Sequence, residues 1–181
     1  INTCHNAVNM GLVKLLLDRG ANVNSAGHNN RSALINACDS GGNFELAQLL
    51  ISRGADVHVK QFSNRTPLLE VAMNGNFAVA KLLLEHKASV DAVEEWTGYN
   101  ALQLACEKDH PEIAAMFLDH GADINAMSET QKKCSALMVA TEKSSIRAME
   151  LLLERGAPIT VVRHDNHFHE QAEPVIIRAG N

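Results

Sequence analysis

Aromatic residues, cysteines and long apolar runs are all scarce in this chain. Aromatics make up 4% of the 181 residues, although 46% of the residues are hydrophobic. Small apolar side chains suit closely packed helices better than one thick core built around aromatic rings. No apolar run approaches the roughly 20 residues that a membrane-spanning helix needs. Because a repeating pattern already starts at residue 1, we expect a piece of a longer protein, with no signal peptide and no membrane insertion.

The cysteines and the charge balance limit which cellular compartment and which kinds of partner are expected. Cys4, Cys38, Cys106 and Cys134 form no CxxC pair, and three of them lie inside helical patterns. This indicates reduced, buried thiols of an intracellular protein, cytoplasmic or nuclear. The formal net charge is −5, which argues against a nucleic-acid backbone as the main partner.

A phrase of about ten residues recurs five times along the chain. One clear copy is LLLDRGANVN at 15–24, and the other copies begin at residues 49, 82, 116 and 151. The alanine near the middle of the phrase recurs at intervals of 34, 33, 34 and 35 residues. A period of this length predicts a solenoid of helical repeats.

A second motif lies between the copies of the first. Its best example is TPLLEVA at 66–72, and weaker versions begin at Ser32, Asn100 and Ser135. The two motifs in register resemble the ankyrin repeat over residues 1–159. The resemblance implies an all-α fold, an ankyrin-repeat α-solenoid with short β-hairpin-like loops.

The resemblance also implies the division of the chain. The predicted array covers 1–159, with a truncated first repeat at 1–25, full repeats at 26–59, 60–92, 93–126 and 127–159, and a C-terminal cap or degenerate partial repeat at 160–181.

Local chemistry supports this division and marks departures from the family pattern. Thr66 is a helix N-cap, and Pro67 stands at the first helical position, where its missing N–H costs nothing.

Glycine follows four of the outer helices, but Lys87 follows the third, so we expect backbone strain and easier fraying there. The family's usual helix-start histidine is replaced throughout, so its loop hydrogen bonds are absent or made otherwise. The replacements are Ile35, Leu69, Gln103 and Met138.

Catalytic and cofactor motifs are missing. The sequence has no glycine-rich phosphate loop, nucleophile elbow, HExxH or zinc-spaced cysteine set, so we expect no enzyme activity, no cofactor and no metal. One cluster could in principle hold zinc, but it lacks a helical or hairpin frame and is equally explained as a solvated terminal segment. It comprises His164, Asp165, His167, His169 and Glu170.

Residues one period apart form columns along a solenoid, and two columns point to a binding surface. His28, Phe62 and Trp96 are spaced by 34 residues at the hairpin tips, and the column ends at Lys132 or its neighbour. Arg31, Arg65 and Tyr99 form the second column at the same spacing. Trp, Tyr and Arg are the types most enriched at interface hot spots, so we predict partner contact here. Local packing of Phe62 and Trp96 onto adjacent hairpins is the alternative.

The predicted inner helices line a groove that is a second candidate binding surface. One column holds Asn36, Glu70, Leu104 and Val139, and the next exposed turn holds Asp39, Met73, Glu107 and Glu142. We predict partner contact at Glu70, Leu104 and Glu107, by a peptide that mixes basic and apolar side chains. An ordinary solvated helix face is the alternative.

Together these features predict a non-catalytic, monomeric module that binds a partner protein or peptide through hairpin tips and groove. Two other functions stay open. Some ankyrin domains bind oligonucleotide-like anions, and the chain could be the regulatory segment of a larger enzyme.

The resemblance also implies possible modification by an asparaginyl hydroxylase at Asn125, the best match, or at Asn24. A structural role, hydrogen bonding within the hairpin, would equally explain these asparagines.

Overall fold

Short helices alternate with tight turns throughout the computed structural model, which describes residues 9–39, 43–129 and 133–159. The helices are α1 (Met10–Asp18), α2 (Ala33–Cys38), α3 (Phe44–Ser52), α4 (Pro67–Asn74), α5 (Phe77–Glu85), α6 (Ala101–Glu107), α7 (Pro111–Asp119), α8 (Ala136–Lys143) and α9 (Ile146–Glu154). Within these ranges the β structure consists of isolated bridges, Ala26 with Ser32 and Val93 with Asn100. The predicted all-α solenoid with hairpin-like loops is confirmed.

The helices form two stacked layers. The inner layer is the series α2, α4, α6 and α8, and the outer layer is the series α3, α5, α7 and α9. Within each series every helix contacts its neighbours. Each inner helix also packs on the outer helix that follows it. The core is therefore a continuous strip between the layers rather than a central ball.

The inner layer is close-packed because one position in each inner helix is alanine. Ala37, Ala72, Ala105 and Ala140 are 2% exposed or less. The outer helices fill the space behind them with a buried column of large side chains, Leu50, Leu83, Phe117 and Leu152. Burying each of these contributes about 1.5–3 kcal/mol.

The start of the predicted array and the predicted C-terminal cap lie outside the described residues, which leave out residues 1–8 and 160–181. Helix α1 has no buried residue, and its Leu12, Leu15 and Leu16 are exposed. The repeat boundaries stay predictions.

Each inner helix starts as the motif predicts. Thr66 Oγ1 accepts a hydrogen bond from the Leu69 amide at 3.4 Å, and Pro67 occupies the first helical position. Ser32, Asn100 and Ser135 cap α2, α6 and α8 in the same way. The capping oxygen satisfies one of the amides that a helix start leaves free.

Polar bonds also join successive repeats at the turns between inner and outer helices. Asp109 Oδ1 accepts from the Ala148 amide at 2.8 Å and so caps α9 from the preceding repeat. Ser145 Oγ donates to the Glu107 carbonyl at 3.3 Å. These bonds fix the rotation of one repeat against the next.

Lys87 shows the strain expected after the third outer helix. Its φ is +65°, and the glycines at the matching positions, such as Gly54 and Gly121, have φ of +84° and +90°. Helix α5 nevertheless has nine residues, as do α3 and α7. The predicted fraying is a matter of dynamics and stays a prediction.

Replacing Lys87 by glycine should stabilise the array. Lys87→Gly removes the clash that a Cβ makes in the left-handed region, so we expect the free energy of unfolding to rise by about 1 kcal/mol. Urea denaturation measures it. Lys87→Ala is the control, since it removes the charge and keeps the Cβ. An equal gain in both variants would contradict the strain argument.

Gln103 makes the loop hydrogen bonds that the replaced histidine leaves open in its repeat. Its Nε2 donates to the carbonyls of Cys134 at 2.6 Å and Ala126 at 3.2 Å. Its Oε1 accepts from the Asn100 amide at 2.9 Å. Gln103 is 1% exposed, so it joins α6 to the fourth hairpin from inside the protein.

Loss of these bonds should be costly. Gln103→Met keeps the size of the side chain but leaves buried polar groups unpaired, so we expect a loss of about 1–3 kcal/mol in unfolding free energy. The matched control is Gln48→Met, because Gln48 is exposed on α3. Urea denaturation that shows equal stabilities for the two variants would mean that water replaces the lost bonds.

Candidate functional site

The hairpin tips form one continuous edge. We call the described tip residues 26–32, 60–66, 93–100 and 127–129 the hairpin edge. Asn30 Nδ2 donates to the Lys60 carbonyl at 2.6 Å. The Glu95 amide donates to the Ser63 carbonyl at 3.0 Å, and the Glu129 amide to the Gly98 carbonyl at 3.1 Å. Each tip is thus hydrogen-bonded to the next, which holds the edge in a defined shape.

Two aromatic rings meet on this edge. Phe62 and Trp96 pack edge to face, with ring centroids 6.5 Å apart and an angle of 68° between the ring planes. They nevertheless stay 69% and 67% exposed. We call them the aromatic pair. The alternative of local packing accounts for their mutual contact but leaves about two thirds of each residue in solvent.

The turn that carries Phe62 has an unusual backbone. Ser63 and Asn64 have φ of +68° and +57°, in the left-handed region that costs most residues free energy. Ser63 is buried, whereas Phe62 before it is exposed. The strained turn therefore places the ring at the tip.

The other members of the two predicted columns are placed differently. His28 is exposed at the start of a short 3-10 turn, His28–Asn30. Tyr99 is half-buried and packs against the core. Lys132 lies outside the described residues. The structure therefore brings together Phe62 and Trp96, and it directs Tyr99 inward.

Arg31 and Arg65 also turn inward, towards Glu70. Glu70 Oε1 is 3.9 Å from Arg31 Nη2, and Glu70 Oε2 is 3.6 Å from Arg65 Nη1. We call these three residues the charge triad. Arg31 also contacts Asp39 Oδ2 and Asn36 Oδ1, each at 2.5 Å. The predicted contact surface at Arg31, Arg65 and Glu70 is in large part an internal ion-pair network.

Burial dominates the electrostatics of Glu70, which is 5% exposed. Removal from water raises the pKa of Glu70 above its ordinary value, and the charges of Arg65 and then Arg31 oppose that rise. Glu70 Oε2 and Arg65 Nε have no hydrogen-bond partner within the part of the chain that the structure describes. The sequence columns could not predict that Glu70 is buried, because they show which residues occupy equivalent positions in successive repeats and not how far each side chain lies from solvent.

The groove prediction needs correction at Leu104. Leu104 is 2% exposed and belongs to the core, and Val139 in the same column is fully buried. Inner helices that touch through alanine close over this column. Glu107 stays at the surface with a side chain 16% exposed, and its Oε1 lies 3.4 Å from Lys143 Nζ and 3.9 Å from Lys108 Nζ.

Comparison with known families agrees with this architecture. The family model described as ankyrin repeats (3 copies) matches residues 2–61, 40–128 and 94–163, which together cover most of the chain. The chain belongs to the ankyrin repeat family. No curated protein matches it significantly. Ankyrin repeats are generally protein–protein interaction modules and are typically not enzymes.

The two candidate asparagines of this ankyrin chain differ in their bonding. Asn24 Nδ2 donates to the Gly54 carbonyl at 3.1 Å, and Asn24 Oδ1 accepts from the Asp56 amide at 2.8 Å. At the position matching Asp56, the last hairpin has Pro158, which has no N–H to donate. Asn125 therefore cannot accept the matching amide hydrogen bond, although both asparagines are exposed. Hydroxylation stays a prediction at both positions.

The described residues contain neither a metal cluster nor a membrane span. Residues 9–39, 43–129 and 133–159 hold no group of three or more His, Cys, Asp or Glu side chains placed to bind a metal ion. The predicted cluster at His164–Glu170 lies outside these ranges. No helix in them is long and apolar enough to cross a membrane.

Three cysteines are free thiols in the core. Cys38, Cys106 and Cys134 are 1% exposed or less, and Cys4 lies outside the described residues. Burial raises the pKa of Cys38 far above its ordinary value and that of Cys106 to about 12. Since the thiolate is the reactive form, these cysteines are packing residues.

The thiols should react only when the protein unfolds. In a Cys4→Ser variant at pH 8, we expect no reaction with a disulfide reagent such as DTNB until denaturant is added, and then three equivalents of released thiolate, one for each cysteine. Absorbance measures the release. A Gln48→Cys variant is the positive control, because Gln48 is exposed. Rapid labelling of the folded Cys4→Ser variant would contradict the buried placement.

Proposed function

We propose that this chain is a non-catalytic interaction module that binds a partner protein or peptide through its hairpin edge, with the aromatic pair at the centre. One observation carries the proposal. Two large rings from repeats one period apart pack on each other and are still about two thirds exposed. Exposed neighbouring aromatics of this kind are typical of interface hot spots, which gain binding energy when a partner removes them from water.

The backbone of the edge supports the same function. The hydrogen bonds between successive tips, such as Glu95 to Ser63 and Glu129 to Gly98, order the surface before a partner arrives. A preordered surface loses less conformational freedom on binding, so more of the contact energy appears as affinity. The proposed contact surface also includes His28, Arg31, Arg65 and Tyr99 on the same edge. Glu70 and Glu107, with side chains 7% and 16% exposed, are peripheral to it.

Charge on the edge favours a partner that mixes basic and apolar side chains. Glu95 directly precedes Trp96, and Glu129 is bonded to the tip that carries Trp96; both are exposed. The charges of Arg31 and Arg65 are offset by Glu70 and Asp39. Lys60 adds an exposed positive charge on the preceding tip, so the acidic excess is confined to the surroundings of Trp96. There the surface attracts cations rather than phosphates, which weighs against an oligonucleotide-like ligand at the aromatic pair.

The compartment and the assembly state belong to the proposal as well. Free, buried thiols at Cys38, Cys106 and Cys134 support an intracellular location, where thiols stay reduced. We also propose a monomeric domain, since helices α2 to α9 each pack on helices of the same chain. A role as the regulatory segment of a larger protein is compatible with partner binding, because it would use the same hairpin edge.

The proposal is tested by removing the aromatic pair. A Phe62→Ala/Trp96→Ala variant should lose a partner protein that the parent chain captures from a lysate of its source cells. With the purified partner, titration calorimetry should show a dissociation constant at least about tenfold higher, the loss expected for hot-spot truncation. Circular dichroism melts establish that both proteins are folded.

The matched control is Phe77→Ala/Ile146→Ala, which removes two apolar side chains that are also exposed, 48% and 64%, but lie away from the hairpin edge. This control should keep the partner. Capture that survives loss of the aromatic pair, or is lost only in the control, would place the interface elsewhere on the solenoid.

A further inference from the structure

Two of the hairpins end at an arginine, and two do not. The Gly27 amide donates to the Arg31 carbonyl and the Gln61 amide to the Arg65 carbonyl, each at 3.0 Å. These bonds close the hairpins that carry His28 and Phe62. The next two hairpins are closed by Glu94 to Tyr99 at 3.0 Å and Ser128 to Cys134 at 2.9 Å, with no arginine at the closing position.

Glu70 contacts both arginine-bearing hairpins at once. It lies in the first turn of α4, and each of its carboxylate oxygens faces a different arginine, Arg31 and Arg65. The arginine side chains are 33% and 22% exposed, whereas the Glu70 side chain is 7% exposed. The buried carboxylate is therefore the common partner of two side chains that reach in from the edge, and Arg31 is held in addition by Asp39 and Asn36.

The groups that act on the Glu70 carboxylate come from two hairpins, from α2 and from α4 itself. Arg31 and Arg65 approach from the hairpins, Asp39 and the Cys38 thiol from the end of α2, and Asn74 lies within α4 itself. Burial and Asp39 raise the pKa of Glu70, and the two arginines and a hydrogen bond from Asn74 lower it, with burial the largest effect. A carboxyl whose pKa is raised on folding favours the folded state most when it is neutral, so its charge opposes folding as pH rises through the raised pKa.

A charge that does not stabilise the fold needs another explanation. Buried ion pairs contribute little to stability in general, and their best-supported use is to select one arrangement among several. We propose that Glu70 is a positioning residue for the hairpin edge: its carboxylate holds Arg31 and Arg65 in place and thereby fixes the hairpins that carry His28 and Phe62. Acidification releases this hold. The consequence for partner affinity rests on the proposed function, but the positioning itself does not.

The test is amide hydrogen exchange followed residue by residue by NMR in the parent chain and in Glu70→Gln. Gln keeps the shape of the side chain and removes the charge. We expect the protection factor of Gln61 to fall at least tenfold in the variant and that of Gly27 to fall less, because Asp39 and Asn36 also hold Arg31. Those of Glu94 and Ser128 should stay unchanged. The melting temperature should change little, because both arginine side chains are partly exposed and can be solvated once the carboxylate is removed.

Two comparisons make the outcome specific. Glu45→Gln, an exposed carboxylate on α3, should change none of the four amides. The difference between the parent chain and Glu70→Gln should disappear once the pH is low enough to protonate Glu70, since both side chains are then neutral.

Unchanged protection at Gly27 and Gln61, or an equal loss at all four amides, would overturn the positioning role. No partner is needed for these measurements. Failure of the aromatic-pair experiment therefore leaves this result standing, and failure here leaves the interface proposal standing.

Discussion

The close approach of neighbouring inner helices is the constraint on which the rest of this protein depends. Ala72 and Ala105 are fully buried because each faces the next repeat at a distance that no larger side chain would allow. No helix pair of this size buries enough apolar surface to fold alone, so each repeat obtains its core from its neighbours. The same spacing sets the distance between hairpin tips. It is the reason that Phe62 and Trp96, 34 residues apart in sequence, touch.

Apolar stacking determines the approximate arrangement of the repeats, and polar interactions between repeats then fix their relative positions. The cap that Asp109 provides to α9 and the hydrogen bond from Gln103 to the Cys134 carbonyl cross from one repeat to the next. The charge triad does the same between the first two complete hairpins. Such contacts contribute modest net stability, but an alternative packing would leave buried polar groups unpaired. Stacking therefore supplies the free energy, and the polar bonds supply the uniqueness of the arrangement.

The sequence predicts the repeated features of this molecule better than the individual ones. Period, caps and the strained position at Lys87 follow from local chemistry that is the same in every repeat, and the structure shows them. Leu104 could not be placed this way, because burial depends on how closely two helices from different repeats approach. The approach of Arg31 to Glu70, 39 residues later, likewise depends on how two repeats stack, whereas its contacts with Asn36 and Asp39 are local. A column specifies which residues are neighbours, and only packing determines which of them face water.

The position of Trp96 gives the hairpin edge a built-in optical signal. Trp96 is the only tryptophan in the chain, so indole fluorescence excited at the red edge of absorption comes from a single point on the surface. Its emission depends on solvent around the ring and on the nearby Phe62. A change in emission on mixing with another molecule therefore reports an event at this edge without any label. The same solenoid geometry that exposes the ring makes encounters there directly observable.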